Sequence, residues 1–167
     1  MTEQTDTFPD KSNGGSITVS RLAPIGGLTS RRIIRAVRAT LKGREMHSLS
    51  IAVVDDATIA SIKRRYLNDA RATDVLSFDL RDDEDDEAIE GEIVVSAETA
   101  HRQAKDLAVD PAEEILRYVI HGTLHLMGYD DHNSASRRRM RLAEDKVLLS
   151  FKSTTSSNRQ KMEDNRR

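Results

Sequence analysis

The chain contains no cysteine. That absence removes disulfides, thiolate metal sites and cysteine nucleophiles together, and it fits a reducing compartment. Aromatic residues make up only 4% of the sequence, too few for extended base stacking, so any contact with nucleic acid is expected to run along its backbone. No apolar run approaches the roughly 20 residues of a membrane span. The opening segment MTEQTDTFPDKSNGGS lacks the basic-then-apolar order of a secretion signal. A soluble, cytoplasmic protein with no membrane partner is therefore the expectation. An excess of positive charge is also missing, the formal net charge being −2. This argues against a general nucleic-acid coat protein but leaves a local basic face open, because phosphate contacts depend on local charge.

What is present suits one modest core. Of the 167 residues, 37% are hydrophobic and 32% charged, about the length and composition of a single domain with short tails. Residues 1–16 are polar and read as a flexible arm, residues 17–151 as the folded domain, and residues 152–167, with their Ser-Thr-Thr-Ser-Ser run, as a flexible tail. Within the domain, Ile17 to Leu22 alternates as a first strand. Thr29 or Ser30 caps a helix to about Lys42, stopped by Gly43. Ile33, Ile34, Val37 and Leu41 form its apolar face, and Arg31, Arg35, Arg38 and Lys42 recur on another.

Ser48 to Val54 is rich in β-branched residues and reads as a strand, followed after Asp55-Asp56 by a short helix to about Tyr66. Val75 to Leu80 and Gly91 to Val95 are two further strands that pair across a solvated acidic loop, Asp82 to Glu87. Ser96 caps a helix to about Leu107, and Asp110-Pro111 opens the next, with Asp at the cap and Pro at the first helical position. That helix runs to Met127, where Gly128 stops it, and Ser134 or Ser136 begins a final helix to about Phe151. The expected fold is one α+β domain, a mixed sheet of about four strands covered by helices.

The informative segment is His121-Gly122-Thr123-Leu124-His125-Leu126-Met127-Gly128-Tyr129-Asp130-Asp131-His132. Histidines four apart on a helix project from one face, one turn apart, close enough to grip a single ion. The glycine stop then lets the chain swing a third ligand from Asp130-Asp131-His132 back over the pair. Three protein ligands with an open fourth position describe a catalytic zinc site, here at the end of a central helix. Imidazole also suits other first-row metals. The metalloprotease pattern H-E-x-x-H is the nearest competitor, but its general-base position holds Gly122.

The segment HGTLHLMGYD resembles the signature H-G-x-L-H-L-x-G-Y-D-H of the YbeY family of bacterial endoribonucleases. Thr73-Asp74-Val75-Leu76-Ser77-Phe78 is similar to that family's T-D-V-L-S-F strand, and Gly91-Glu92-Ile93-Val94-Val95-Ser96 to its G-D-I-x-I-S strand. Gln103-Ala104, Met140 and Glu144 match later family positions, so the resemblance spans about Ser48 to Leu149. Two departures stand out. The family's third histidine falls six residues after the second, where this chain has Asp131, with His132 one further on. The count favours Asp131 as the third ligand, through oxygen, with His132 as the alternative if the chain shifts locally. The family also often carries an arginine after the aromatic residue of YLNDARATDV, where Leu67 stands here; Arg65 or Arg71 are the candidates to replace it.

The resemblance implies metal-dependent cleavage of single-stranded RNA, in maturation of the small-subunit rRNA 3′ end and in ribosome quality control, with the ribosome or its small subunit as partner. It implies zinc held by His121, His125 and Asp131 or His132, and it names no general base. Asp130 either orients a ligand imidazole or caps the loop. Arg31, Arg35, Arg38 and Lys42 are the expected RNA-backbone contacts, joined by Lys63, Arg64 and Arg65, with Arg137, Arg138, Arg139 and Arg141 as a second basic cluster. Two rivals remain: a ribosome-assembly factor whose metal is structural, and a metallohydrolase acting on small molecules.

Overall fold

Burial alternates along SITVSR, with Ile17 and Val19 fully enclosed and their polar neighbours on the other face. This period of two fits a strand with one face on a core. The computed structural model describes residues 4–9, 15–69, 71, 73–83 and 87–164, with side chains as far as residue 151. Its strands are β1 (Gln4–Pro9), β2 (Ser16–Arg21), β3 (Met46–Val54), β4 (Val75–Asp79) and β5 (Ile89–Ser96). Its helices are α1 (Ser30–Leu41), α2 (Asp56–Leu67), α3 (Ala97–Leu107), α4 (Pro111–Leu126) and α5 (Ser134–Asp164).

The five strands form one mixed sheet in the order β1-β2-β3-β5-β4. β2, β3 and β5 run parallel, while β1 and β4 lie antiparallel on the two edges. The hairpin expected between the TDVLSF and GEIVV segments is present, with Asp79 opposite Gly91 and Val75 opposite Val95. The acidic loop between them lies partly outside the described residues.

Two expectations are corrected. The sheet has five strands rather than about four, because Gln4–Pro9, read as part of a loose arm, pairs with β2 along its whole length. Phe8 packs on the core, Ser30 Oγ donates to Asp6 at 2.5 Å, and Arg21 pairs with Asp6 at 3.5 Å. The last helix also continues past Phe151 to Asp164, where a flexible tail was expected. The remaining arm and tail residues, 1–3, 10–14 and 165–167, lie outside the described residues.

One face of the sheet carries the main core. Ile17, Val19, Leu49, Ile51, Val53, Ile89, Ile93 and Val95 meet the apolar sides of α1 and α4 there. The other face is partly covered by α2, where Ile59 packs on Val54, Leu76 and Val94. α4 is the central helix. Asp110 caps it, accepting from Ala112 N–H at 2.8 Å, and Pro111 occupies its first turn, where an N–H would have no partner. It ends at Leu126, and Gly128 takes φ +88°, a conformation that favours glycine. α4 also lies unusually close to the sheet. A Cβ on Gly122 would stand 2.8 Å from Ile93 Cγ2 and 2.9 Å from Ser77 Oγ.

Candidate metal centre

His121 and His125 lie one turn apart on α4, as their spacing requires, with ring centroids 4.6 Å apart and planes at 81°. Their Nε2 atoms face each other at 3.0 Å. Each ring is held by its other nitrogen. His121 Nδ1 lies 2.8 Å from Glu144 Oε1, and His125 Nδ1 lies 3.0 Å from the Tyr129 carbonyl oxygen. A carboxylate and a carbonyl accept only, so both Nδ1 atoms carry the hydrogen and both Nε2 atoms present lone pairs. Two lone pairs opposed at this distance repel unless a proton or a cation lies between them. That is the arrangement a metal-binding histidine pair needs, with partners on the far side of each ring fixing tautomer and orientation.

The loop after Gly128 completes the group. Asp131 Oδ2 comes to 4.0 Å from His121 Nε2, and His121, His125 and Asp131 offer ligand atoms that all lie within 4.8 Å of one another. Two imidazoles and a carboxylate suit a first-row divalent ion, and the residues present fit one. His132 is not brought into this group; it is exposed, and its backbone N–H donates to Asp130 Oδ1 at 3.2 Å. Asp130 therefore serves the turn, and the His132 N–H bond helps hold its carboxyl below the ordinary value, after the larger effect of a Ser136 hydrogen bond.

The support behind His121 is charged. Glu144, on α5, is buried at 6% exposure and takes a hydrogen bond from Arg117 Nη1 at 3.1 Å. The same guanidinium nitrogen reaches Asp145 at 2.9 Å. Burial works against the charged form of His121, but the hydrogen bond and charge of Glu144 outweigh it, aided by Asp74 and Asp131, and its pKa is raised. Beyond His121 a cleft of about 400 Å³ extends between α3, α4 and α5, with Asp131, Glu114, Tyr118, Arg117, Arg137 and Arg141 among its walls. Burial raises the Glu114 carboxyl, and it raises Tyr118 further with the Glu114 charge beside it.

Of the cations expected to touch RNA, Arg31, Arg35, Arg38 and Lys42 are all exposed on or just after α1. Two of them have protein partners: Arg35 lies 5.5 Å over the Phe151 ring, and Arg38 Nη2 donates to the Pro9 carbonyl at 3.2 Å. Neither Arg65 nor Arg71 joins the histidine pair. Arg65 sits over the Tyr66 ring at 5.6 Å, and Arg71 is bound to Asp69 at 2.8 Å. The arginines that share the cleft with His121 are Arg117, Arg137 and Arg141.

In the sequence Glu144 stands out only as a position that matches the family, and Arg117 does not stand out. A signal for Glu144 did exist: it falls among Met140, Val147, Leu148 and Phe151, the buried side of α5, where an unpaired carboxylate would be costly. Arg117 carried only the local i,i+3 spacing to Glu114 on its own helix; its closer partners, Glu144 and Asp145, lie on α5.

A family model described as Endoribonuclease YbeY matches residues 28–152. The chain belongs to the YbeY family. Among relatives carrying that name, one from Desulfitobacterium hafniense is 34% identical over 151 residues, covering 86% of this chain and 90% of the relative. One from Carboxydothermus hydrogenoformans is 42% identical over 118 residues, covering 70% of this chain and 81% of the relative. The solution structure of TM1509 from Thermotoga maritima superposes with a TM-score of 0.61 at 25% identity, covering 85% of this chain and 93% of that one. Among the described residues no helix is long and apolar enough to cross a membrane.

Proposed function

We propose that this YbeY-family chain is a metal-dependent endoribonuclease that cuts single-stranded RNA, acting in the cytoplasm on the 3′ end of small-subunit rRNA and in ribosome quality control. The observation that carries the reading is the convergence of His121, His125 and Asp131 beside an open cleft, with both imidazoles oriented from behind. His121 and His125 would hold zinc through Nε2, and Asp131 through a carboxylate oxygen. When bound, zinc supplies Lewis acidity toward a phosphoryl oxygen and makes water acidic enough to attack near neutral pH.

The chain's own residues do the rest. Glu144 keeps the His121 proton on Nδ1, and the Tyr129 carbonyl does the same for His125, so both lone pairs stay on the metal side. Arg141, in the cleft wall, meets phosphate charge near the site. Arg31, Arg35, Arg38 and Lys42 follow the RNA backbone on α1, with the small ribosomal subunit as the larger partner. The folded unit runs from β1 to α5 and extends the expected residues 17–151 at both ends.

The rival, an assembly factor with structural metal, needs a closed site of four protein ligands. The group found among the described residues has three members, and its cleft side is open. Metal analysis of purified protein, with cleavage of labelled single-stranded and duplex RNA by wild type and His125→Ala, tests the reading. Wild type should carry about one zinc and cut the single strand only, and His125→Ala should lose both properties. Equal cleavage by His125→Ala would overturn it.

A further inference from the structure

We infer that Arg137 is a positioning residue for the metal centre, holding the Asp131 backbone so that its carboxylate stays in reach of the two histidines. This rests on the reading of His121, His125 and Asp131 as ligands, and it removes Arg137 from the basic cluster expected to bind RNA.

The loop between α4 and α5 is short, and each end is fixed independently. At the α4 end, Tyr129 N–H donates to the Leu124 carbonyl at 3.0 Å and Gly128 N–H to His125 at 2.9 Å. At the α5 end, Asn133 Oδ1 accepts from Ala135 and Ser136 N–H at 3.0 and 2.9 Å, and Ser136 Oγ receives the Asn133 N–H at 3.2 Å. This reciprocal cap fixes the direction in which α5 starts. Asp131 lies between these anchors, and its side chain must point away from the loop toward α4. Its backbone is tied by Arg137 Nη1, which donates to the Asp131 carbonyl at 3.1 Å and reaches the His132 carbonyl at 3.5 Å.

The tie has a directional consequence. Arg137 belongs to the first turn of α5, and Glu144, which orients His121, lies two turns further along the same helix. One rigid helix thus sets both the ring of one ligand and the backbone of another. A carboxylate needs this more than an imidazole does in the same loop, because its oxygens lie closer to the backbone and a small loop movement takes them out of reach. Arg137 also lines the cleft beside His121 and Asp131.

The experiment is a double-mutant cycle on zinc affinity, read by calorimetry on full-length protein and extended to the weak two-histidine site left by Asp131→Ala. Partners that orient ligands typically contribute about 10–100-fold in metal affinity, and since Arg137 acts through backbone the lower end, about tenfold, is expected for Arg137→Ala. Arg137→Lys, which keeps a donor to the carbonyls, should recover part of the loss. In the Asp131→Ala background Arg137→Ala should have no further effect. An unchanged zinc affinity in Arg137→Ala overturns the proposal, including the case where RNA affinity falls and the side chain proves a phosphate contact. An equal loss in both backgrounds overturns it as well, since Arg137 would then act on the fold at large. Failure of the underlying reading looks different: wild type would bind no zinc, or Asp131→Ala would bind it as tightly as wild type.

Discussion

Glu144 Oε1 lies 2.8 Å from His121 Nδ1, so a carboxylate on α5 decides which nitrogen of an α4 imidazole keeps its lone pair toward His125. Glu144→Ala removes that control and leaves Arg117 with Asp145 at 2.9 Å and Glu114 at 4.0 Å as its anions. Zinc affinity should fall by about 10–100-fold. Glu144→Gln should lose less, since its amide oxygen still accepts from Nδ1. Calorimetric titration of the two variants separates these outcomes, and equal affinities for all three proteins would remove Glu144 from the site.

Asp131 and His132 are adjacent yet placed differently, one within the ligand group and one exposed with its backbone bound to Asp130. Asp131→Ala should therefore lower zinc affinity by at least about tenfold, a ligand mattering no less than the partners that orient one. His132→Ala should leave it near wild type. The reverse ranking, measured by competition with a chromophoric chelator, would make the alternative, His132, the third ligand.

Removal of residues 1–9 should destabilise the domain, because it strips β1 from the β2 edge together with the Asp6 bonds to Ser30 and Arg21. A loss of about 1–2 kcal/mol would lower the unfolding temperature by roughly 2–8 °C in a domain of this size. Thermal scans of the truncated and full chains measure it, and coincident transitions would show that the edge strand adds nothing.

How much of this was readable in the chain depended on how local each cause is. The helix caps Thr29, Asp55, Ser96 and Asp110 all accept from nearby N–H groups, interactions within three residues, and each helix start was legible to within a residue or two. His121 and His125 were legible for the same reason, since helical spacing alone puts them together. β1 was not, because QTDTFP has a single large apolar residue, Phe8, and its order comes from a partner strand beginning seven residues after it ends. Arg117 and Arg137 share part of that cause: Glu144 and Asp145, the close partners of Arg117, lie on another helix, and the backbone tie of Arg137 crosses the loop, so a basic cluster marked Arg137 only as a charge.

Asp56 offers a test of acid sensitivity. Its carboxylate accepts from Ser96 Oγ, from Thr99 Oγ1 at 2.8 Å and from Arg102 at 2.6 Å, while its N–H donates to Glu98 at 2.9 Å. Burial opposes its charge, but these hydrogen bonds win and hold the carboxyl below the ordinary 3.8. A depressed folded pKa gives stability that is present above 3.8 and lost as pH falls through the folded value. Asp56→Asn should thus unfold at lower temperature than wild type at pH 7, and the gap should narrow below pH of about 4. A gap that is constant across this range would show that charge at Asp56 does not matter.

Arg31 and Lys42 lie at the two ends of the α1 stripe, outside the contacts that occupy Arg35 and Arg38. Charge reversal at both, Arg31→Glu with Lys42→Glu, should weaken single-stranded RNA binding and reduce its logarithmic salt slope by roughly 1–2. Zinc content should stay unchanged. Filter binding across a salt series decides it, and an identical slope would make the stripe a solvated surface and leave Arg138, Arg139 and Arg141 as the basic residues to test.

Gly122 bears on which chemistries this scaffold could ever acquire. It follows the first histidine directly, at the position where a metalloprotease places its glutamate, but the rotational phase of α4 turns that position away from the open cleft. A side chain there would run straight into Ile93 and Ser77, beginning at its first carbon. The same contact that seats the helix on the sheet thus bars the peptidase route sterically. Gly122→Glu would lift α4 off the sheet and scatter the ligands rather than install a base, so one hydrogen in place of a carbon keeps this helix to a different reaction.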